Sequence, residues 1–202
     1  TKIVSYLLQD FKGFIAINQP DNKGNSPLSW ACFRDHLEVV HILLQEKDVI
    51  DLNQPNKSGI TPLYLACHKN HLAVVDRLLR EKGDININKT TLGCSPLLEA
   101  CQRGHLDVVG RLLHEKDTIA INHPNKRGMT PLYMACQNGH VQVVNCLLQE
   151  KYSIDINRPS ADGATPLLIA CQQGHLQIVV RLLREKDTIA INHPNKRGMT
   201  PL

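Results

Sequence analysis

The sequence predicts an all-α solenoid of stacked helix-turn-helix repeats with short β-hairpin-like loops. Three observations predict it. A Ser/Thr-Pro-Leu triplet begins at Ser26, Thr61, Ser95, Thr130, Thr165 and Thr200, in steps of 35, 34, 35, 35 and 35 residues, and a period of about 20–50 residues marks a repeat architecture. Other landmarks keep the same step: a Gly two residues before each triplet, an Ala-Cys pair from Ala31-Cys32 to Ala170-Cys171, then a His, then a Leu-Leu pair. Finally, the apolar positions of each unit make one face that a single helix pair cannot bury, so neighbouring units must complete each other's core.

Each element of the unit has a local cause, and Thr130–Asn157 serves as the type. Thr130 is a suitable helix N-cap, because its hydroxyl can accept a backbone N–H of the first turn. Pro131 then falls at the first helical position, where a missing N–H costs nothing. Leu132 and the small pair Ala135-Cys136 form a short apolar stripe that permits close helix approach. Gly139 ends the helix in the left-handed conformation. Asp35 and Asn70 hold that place in the first two repeats and tolerate the same conformation. Val143-Val144 and Leu147-Leu148 are spaced as one buried face of a second helix, which ends in the charged Gln149-Glu150-Lys151. Ile154 and Ile156 then alternate with polar residues in an extended segment. The loop closes in a turn with Asn, Asp or Ser first and Gly fourth, as in Asn125–Gly128, which fits a type I turn.

The boundaries that follow are a partial repeat over 1–20, full repeats over 21–55, 56–89, 90–124, 125–159 and 160–194, and a partial repeat over 195–202, all in one array. Ile3, Val4, Leu7 and Leu8 are read as the remnant of an earlier second helix, and Leu202 stops inside a first helix. Neighbouring repeats of a longer chain are therefore expected at both ends. Residues 111–132 and 181–202 differ only at His114 and Arg184, the mark of a duplicated two-repeat block.

Of the 202 residues 42% are hydrophobic, enough for a folded core, while only 4% are aromatic, so that core must be aliphatic. No apolar run approaches the roughly 20 residues needed to span a bilayer. Of the seven Cys, five occupy the recurring Ala-Cys slot. Stacked helices lie ~8–10 Å apart, whereas a disulfide needs Cα atoms within about 7 Å. The cysteines are read as small buried thiols in a reducing, intracellular compartment, cytoplasmic or nuclear.

Cys and His recur four apart, from Cys32/His36 to Cys171/His175. A structural zinc site needs four ligands within about 2.0–2.3 Å of the metal, and each repeat offers two. The His is read instead as tying down the turn between its two helices. Nucleophilic catalysis wants one Cys-His pair oriented by a third group, not a pair repeated in every unit. The glycines are single and a repeat apart, so no phosphate loop is formed. The reading is of a protein that is no enzyme and holds no metal or cofactor.

Gly-x-Thr-Pro-Leu-x-x-Ala-Cys-x-x-Gly-His-x-x-Val-Val-x-x-Leu-Leu, with Ile-Asn in the loop, resembles the ankyrin repeat across essentially the whole chain. The resemblance implies two antiparallel helices per unit, a projecting hairpin-like loop and protein recognition along the concave side. Three departures stand out. The family period is about 33 residues, and here two extra residues follow Leu-Leu, as in Gln149–Asn157, lengthening the second helix or its exit loop. The family's His after Thr-Pro-Leu is replaced by Ser29, Tyr64, Leu98, Tyr133 and Leu168. The loop Asn88–Gly93 is one residue shorter and lacks Pro, which predicts a displaced third hairpin.

The resemblance implies a recognition surface made of hairpin tips and the two residues after the small pair on each first helix. The partner-binding candidates are Lys23, Phe33 and Arg34 in the first repeat and Lys57, His68 and Lys69 in the second. Leu92 and Arg103 follow in the third, then Lys126, Arg127, Met129 and Gln137 in the fourth. Lys196 and Arg197 belong to the partial sixth. Cations outnumber acids in this set, whereas Glu46, Glu81, Glu115, Glu150 and Glu185 gather at second-helix ends. A net charge of +4 can thus conceal a basic strip. The expectation is a protein-protein interaction scaffold that binds a protein or peptide, an acidic one, with Phe33, Leu92, Met129 and Met199 as apolar contacts. Two alternatives remain open: the recognition arm of a larger enzyme or channel, and nucleic-acid binding through the same strip, which the scarcity of base-stacking aromatics disfavours.

Overall fold

Every first helix starts on the same cap. In a computed structural model that describes residues 16–46, 48–81, 84–91, 93–150 and 153–201, the hydroxyls of Ser26, Thr61, Ser95, Thr130 and Thr165 accept the N–H three residues on, and Pro follows each of them. The first helices are α1 (Pro27–Phe33), α3 (Pro62–His68), α5 (Pro96–Arg103), α7 (Pro131–Gln137) and α9 (Pro166–Gln172). The second helices are α2 (Leu37–Leu43), α4 (Leu72–Leu79), α6 (Leu106–Leu113), α8 (Val141–Gln149) and α10 (Leu176–Leu183). Gly104, Gly139 and Gly174 take positive φ at the turn between helices, and so do Asp35 (φ 58°) and Asn70 (φ 62°).

The contacts divide the chain into two compact units, Thr1–Leu92 and Gly93–Leu202. In the first, α1 packs on α3 and α2 on α4, while each first helix packs on its own second helix. In the second, α5, α7 and α9 form one layer and α6, α8 and α10 the other. The core lies between the layers and is aliphatic: Leu28, Leu63, Leu97, Leu132 and Leu167 of the Pro-Leu step are fully buried, as are Val74, Val75, Leu78, Leu112 and Leu147. The remnant helix expected at Ile3–Leu8, the rest of the partial repeat before residue 16, and Leu202 fall outside the described residues.

The two extra residues per repeat enter the exit loop. In the third repeat the carbonyl of Glu115 accepts both Thr118 N–H and Ile119 N–H, and Glu185 does the same for Thr188 and Ile189 in the fifth. These turns begin after α6 and α10 have ended. The second-helix acids are paired along their own helix: Arg77 with Glu81 at 2.6 Å, Arg111 with Glu115 at 2.8 Å and Arg181 with Glu185 at 2.7 Å. Such i,i+4 pairs contribute ~0.3–0.5 kcal/mol each.

Candidate protein-interaction surface

The hairpin tips stack backbone on backbone. Asp21, Asn56, Asn125 and Asn195 each cap a turn, their side-chain oxygens accepting the N–H groups two and four residues on. Lys57 N–H donates to the Lys23 carbonyl in the first unit, while Ala161 N–H donates to Arg127 and Lys196 N–H to Asp162 in the second. The approach leaves no room for a side chain: a Cβ on Gly128 would stand 2.8 Å from Ala161 N. In the third hairpin the tie to its predecessor runs through a side chain, Thr91 Oγ1 donating to the Gly59 carbonyl at 3.0 Å.

Two side chains stitch each unit internally. The loop Asn of one repeat grips the next loop with both ends of its amide. Asn53 Nδ2 donates to Asp84 O and Asn53 Oδ1 accepts Asn86 N–H. Asn122 does this with Ser153 and Asp155, and Asn157 with Thr188 and Ala190. The recurring His departs from the sequence reading. It sits at the second-helix N-cap without a side-chain capping bond and reaches the preceding repeat instead. Nε2 of His71, His140 and His175 donates to the carbonyls of Phe33, Gln102 and Gln137 at 3.2, 3.0 and 3.1 Å. Those carbonyls lie in the last turn of a first helix, where they have no partner within the helix. Of the cysteines four residues before the recurring His, Cys32, Cys67, Cys101 and Cys136 are buried and Cys171 is half-buried. Among the described residues no three His, Cys, Asp or Glu side chains are placed to share a metal ion.

On this frame the expected surface residues take different positions. Lys23, Lys57, Lys126, Arg127, Lys196 and Arg197 are exposed at the tips, and Arg34, Lys69 and Arg103 are exposed at first-helix ends. Phe33, His68 and Gln137 are half-buried, and Gln137 is the residue whose carbonyl His175 occupies. Met129 is a correction: it is only 5% exposed, with the next hairpin bonded alongside it through Arg127 and Ala161, and it offers no side chain to a partner. Met199, in the same local sequence, is 42% exposed. Leu92 lies outside the described residues.

The first unit draws several of these residues together. Lys69 Nζ stands 4.7 Å from the Phe33 ring centroid and the Arg34 guanidinium 5.7 Å from it. His68 stacks on Tyr64 with centroids 6.3 Å apart. In the second unit two of the surface cations meet acids. Arg103 Nε donates to Glu99, an acid only 5% exposed, and Arg127 lies 3.9 Å from Asp162. Sequence reasoning passed over Glu99 and Trp30. Both occupy the slot before Ala-Cys that elsewhere holds Leu65, Met134 and Ile169, so a charge and a tryptophan in an aliphatic slot were the available signal.

Paired antiparallel helices, a projecting hairpin and side chains that fasten one pair to the next define a stacked helical-repeat protein. The family description "Ankyrin repeats (3 copies)" matches residues 1–56, 49–122 and 82–160, and "Ankyrin repeat" matches 162–196. The chain belongs to the ankyrin repeat family. Ankyrin repeats are in general protein-protein interaction modules, and typically non-catalytic. No curated protein matched the chain. No helix of the described residues is long and apolar enough to cross a membrane.

Proposed function

We propose that this chain is a non-catalytic interaction scaffold whose hairpin tips and first-helix ends bind an acidic protein segment. The observation that carries the reading is charge placement. Lys23, Lys57, Lys126, Lys196 and Arg197 stand exposed at the tips, while Glu81, Glu115 and Glu185 are engaged by arginines of the second helices. Within each unit, charge arranged in this way steers an acidic partner to the hairpin tips. The unbroken period of 34 and 35 residues through residues 89–95 supports treating the chain as one array. The seven free thiols, four of them buried, support a reducing intracellular compartment, cytoplasmic or nuclear.

The test is binding of the full chain to Glu-rich and Gln-rich peptides of equal length across a salt series, with Lys57→Glu and Lys126→Glu/Arg127→Glu variants. The expected result is preference for the Glu-rich peptide, weakened by salt and by each reversal. Equal binding of both peptides, unmoved by the variants, would reduce the cations to a solvated surface.

A further inference from the structure

Trp30 is the one tryptophan of the sequence and is 40% exposed, whereas Met134 and Ile169 in the equivalent slot are buried. Phe33, one turn on, meets it edge-on with centroids 5.9 Å apart and planes at 85°. The Arg34 guanidinium lies 5.8 Å from the Trp30 centroid and 5.7 Å from that of Phe33. The Trp30 indole N–H donates to Asp21 Oδ2 at 3.0 Å, which fixes the ring. The backbone of Phe33 is fixed as well, since its carbonyl accepts His71 Nε2. Between these rings and Leu65 opens a cleft of about 190 Å³, lined also by Lys23, Asn25 and Ser29. Its volume suits one large side chain. Its lining is predominantly apolar, with Lys23 part of it, and Arg34 and Lys69 stand beside it against the Phe33 ring.

We infer that this cleft is an anchor subsite for an acidic peptide: one large apolar side chain of the partner enters between Trp30, Phe33 and Leu65, and carboxylates flanking it meet Lys23, Arg34 and Lys69. The inference rests on the acidic-segment reading above and deepens it. Charge complementarity selects the occupant. Exposed apolar surface beside three cations fits a segment that carries both an apolar residue and acids, and interface anchors concentrate in Trp, Tyr and Arg held in rigid surroundings. A nucleobase fits less well. Phe33 stands across the Trp30 plane rather than parallel to it, which leaves no pair of parallel faces for a base to stack between.

Trp30 supplies the readout, because it alone gives tryptophan emission. The full chain is titrated with a twelve-residue probe peptide of Glu, Gly and Ser carrying one central Leu. Parallel titrations use the same peptide with Leu→Ser, the same peptide with every Glu→Gln, and an oligothymidine. The Leu peptide is expected to shift Trp30 emission to the blue and to bind about tenfold more tightly than its Ser version, the loss of one anchoring contact of ~1.4 kcal/mol. Phe33→Ala, checked for unchanged helicity, should remove most of that difference, and Arg34→Ala should weaken binding of the Leu and Ser versions alike. If acidic peptides bind with salt dependence but Leu and Ser versions bind alike, the subsite falls and the acidic strip stands. If Leu binds equally well in the Gln peptide, the cations play no part and both readings fall. Tighter binding of the oligothymidine than of any peptide would likewise overturn both.

Discussion

Nε2 of His175 lies 3.1 Å from the carbonyl oxygen of Gln137, one repeat earlier. The second helix of one repeat thereby caps the C-terminus of the previous repeat's first helix. That terminus exposes carbonyls with no partner inside the helix and carries the negative end of the helix dipole, so an imidazole N–H satisfies it. The ring also lies against Gly139, where a Cβ would come within 2.7 Å of His175 Cε1. The same relation joins His140 to Gln102 and Gly104. In the first unit Asp35 takes the glycine's place, and its carboxylate stands 3.7 Å from His71 Nδ1.

Gly139→Ala is therefore expected to destabilise. Gly139 has φ 77°, a left-handed conformation that costs a non-glycine residue about 1–3 kcal/mol, and the added methyl must also displace the His175 ring. Asn70→Gly, at φ 62°, should stay within about 1 kcal/mol of the parent, because relief in the folded state is offset by a more flexible unfolded chain. Urea midpoints of the two variants measure this. An unchanged midpoint for Gly139→Ala would mean that the His175 contact does not form.

The register of α6 is tested by two substitutions. Gly110 sits inside the helix with open space where a Cβ would point, so Gly110→Ala should stabilise by up to about 1 kcal/mol. Leu113, three residues on, is 4% exposed, and Leu113→Ala should cost ~2–5 kcal/mol. Thermal or urea unfolding reads both, and opposite signs are the expected outcome.

Asp21 gives the pH dependence. Its carboxylate accepts the Asn25 N–H, the largest influence, and also the Trp30 indole, the Asn25 amide and the Lys23 N–H, which hold it down to about 2 from 3.8 against an opposing effect of desolvation. The folded state thus favours the ionised form. The contribution is fully present above pH 3.8 and is lost as pH falls through about 2. Trp30 emission should report a step in that lower range, absent in Asp21→Asn. A step centred near 3.8 would show that these hydrogen bonds are not held.

The thiols are expected to react unequally. Burial pushes Cys32, Cys101 and Cys136 up, so they stay protonated at neutral pH. Cys94, Cys146 and Cys171 are raised less and are half-exposed. Since the thiolate is the nucleophile, a thiol-specific disulfide reagent should label the second group slowly and the first, together with the buried Cys67, only after denaturation. Prompt labelling of all seven would indicate an open core.

Much of this structure was legible in the residues. The Ser/Thr-Pro caps, the apolar spacing of Val143 to Leu148 and the left-handed positions of Asp35 and Asn70 all act within about four residues, and sequence displays neighbours at that range. The reach of His175 to Gln137 spans 38 residues and that of Asn157 to Thr188 spans 31. No local pattern states which carbonyl an imidazole or amide will find.

Met129 and Met199 mark the division. Both follow Lys-Arg-Gly and precede Thr-Pro-Leu, yet the first is buried and the second exposed. The sequence alone determined that helix pairs recur, where each begins and ends, and which residues can cap them, because those choices are made by covalent geometry and nearby hydrogen bonds. Only the tertiary structure decided which hairpin lies against Met129, that Glu99 is buried, and that Trp30 is left half-open beside Phe33. Burial depends on what the next repeat places alongside, and that is a property of stacking rather than of any one segment.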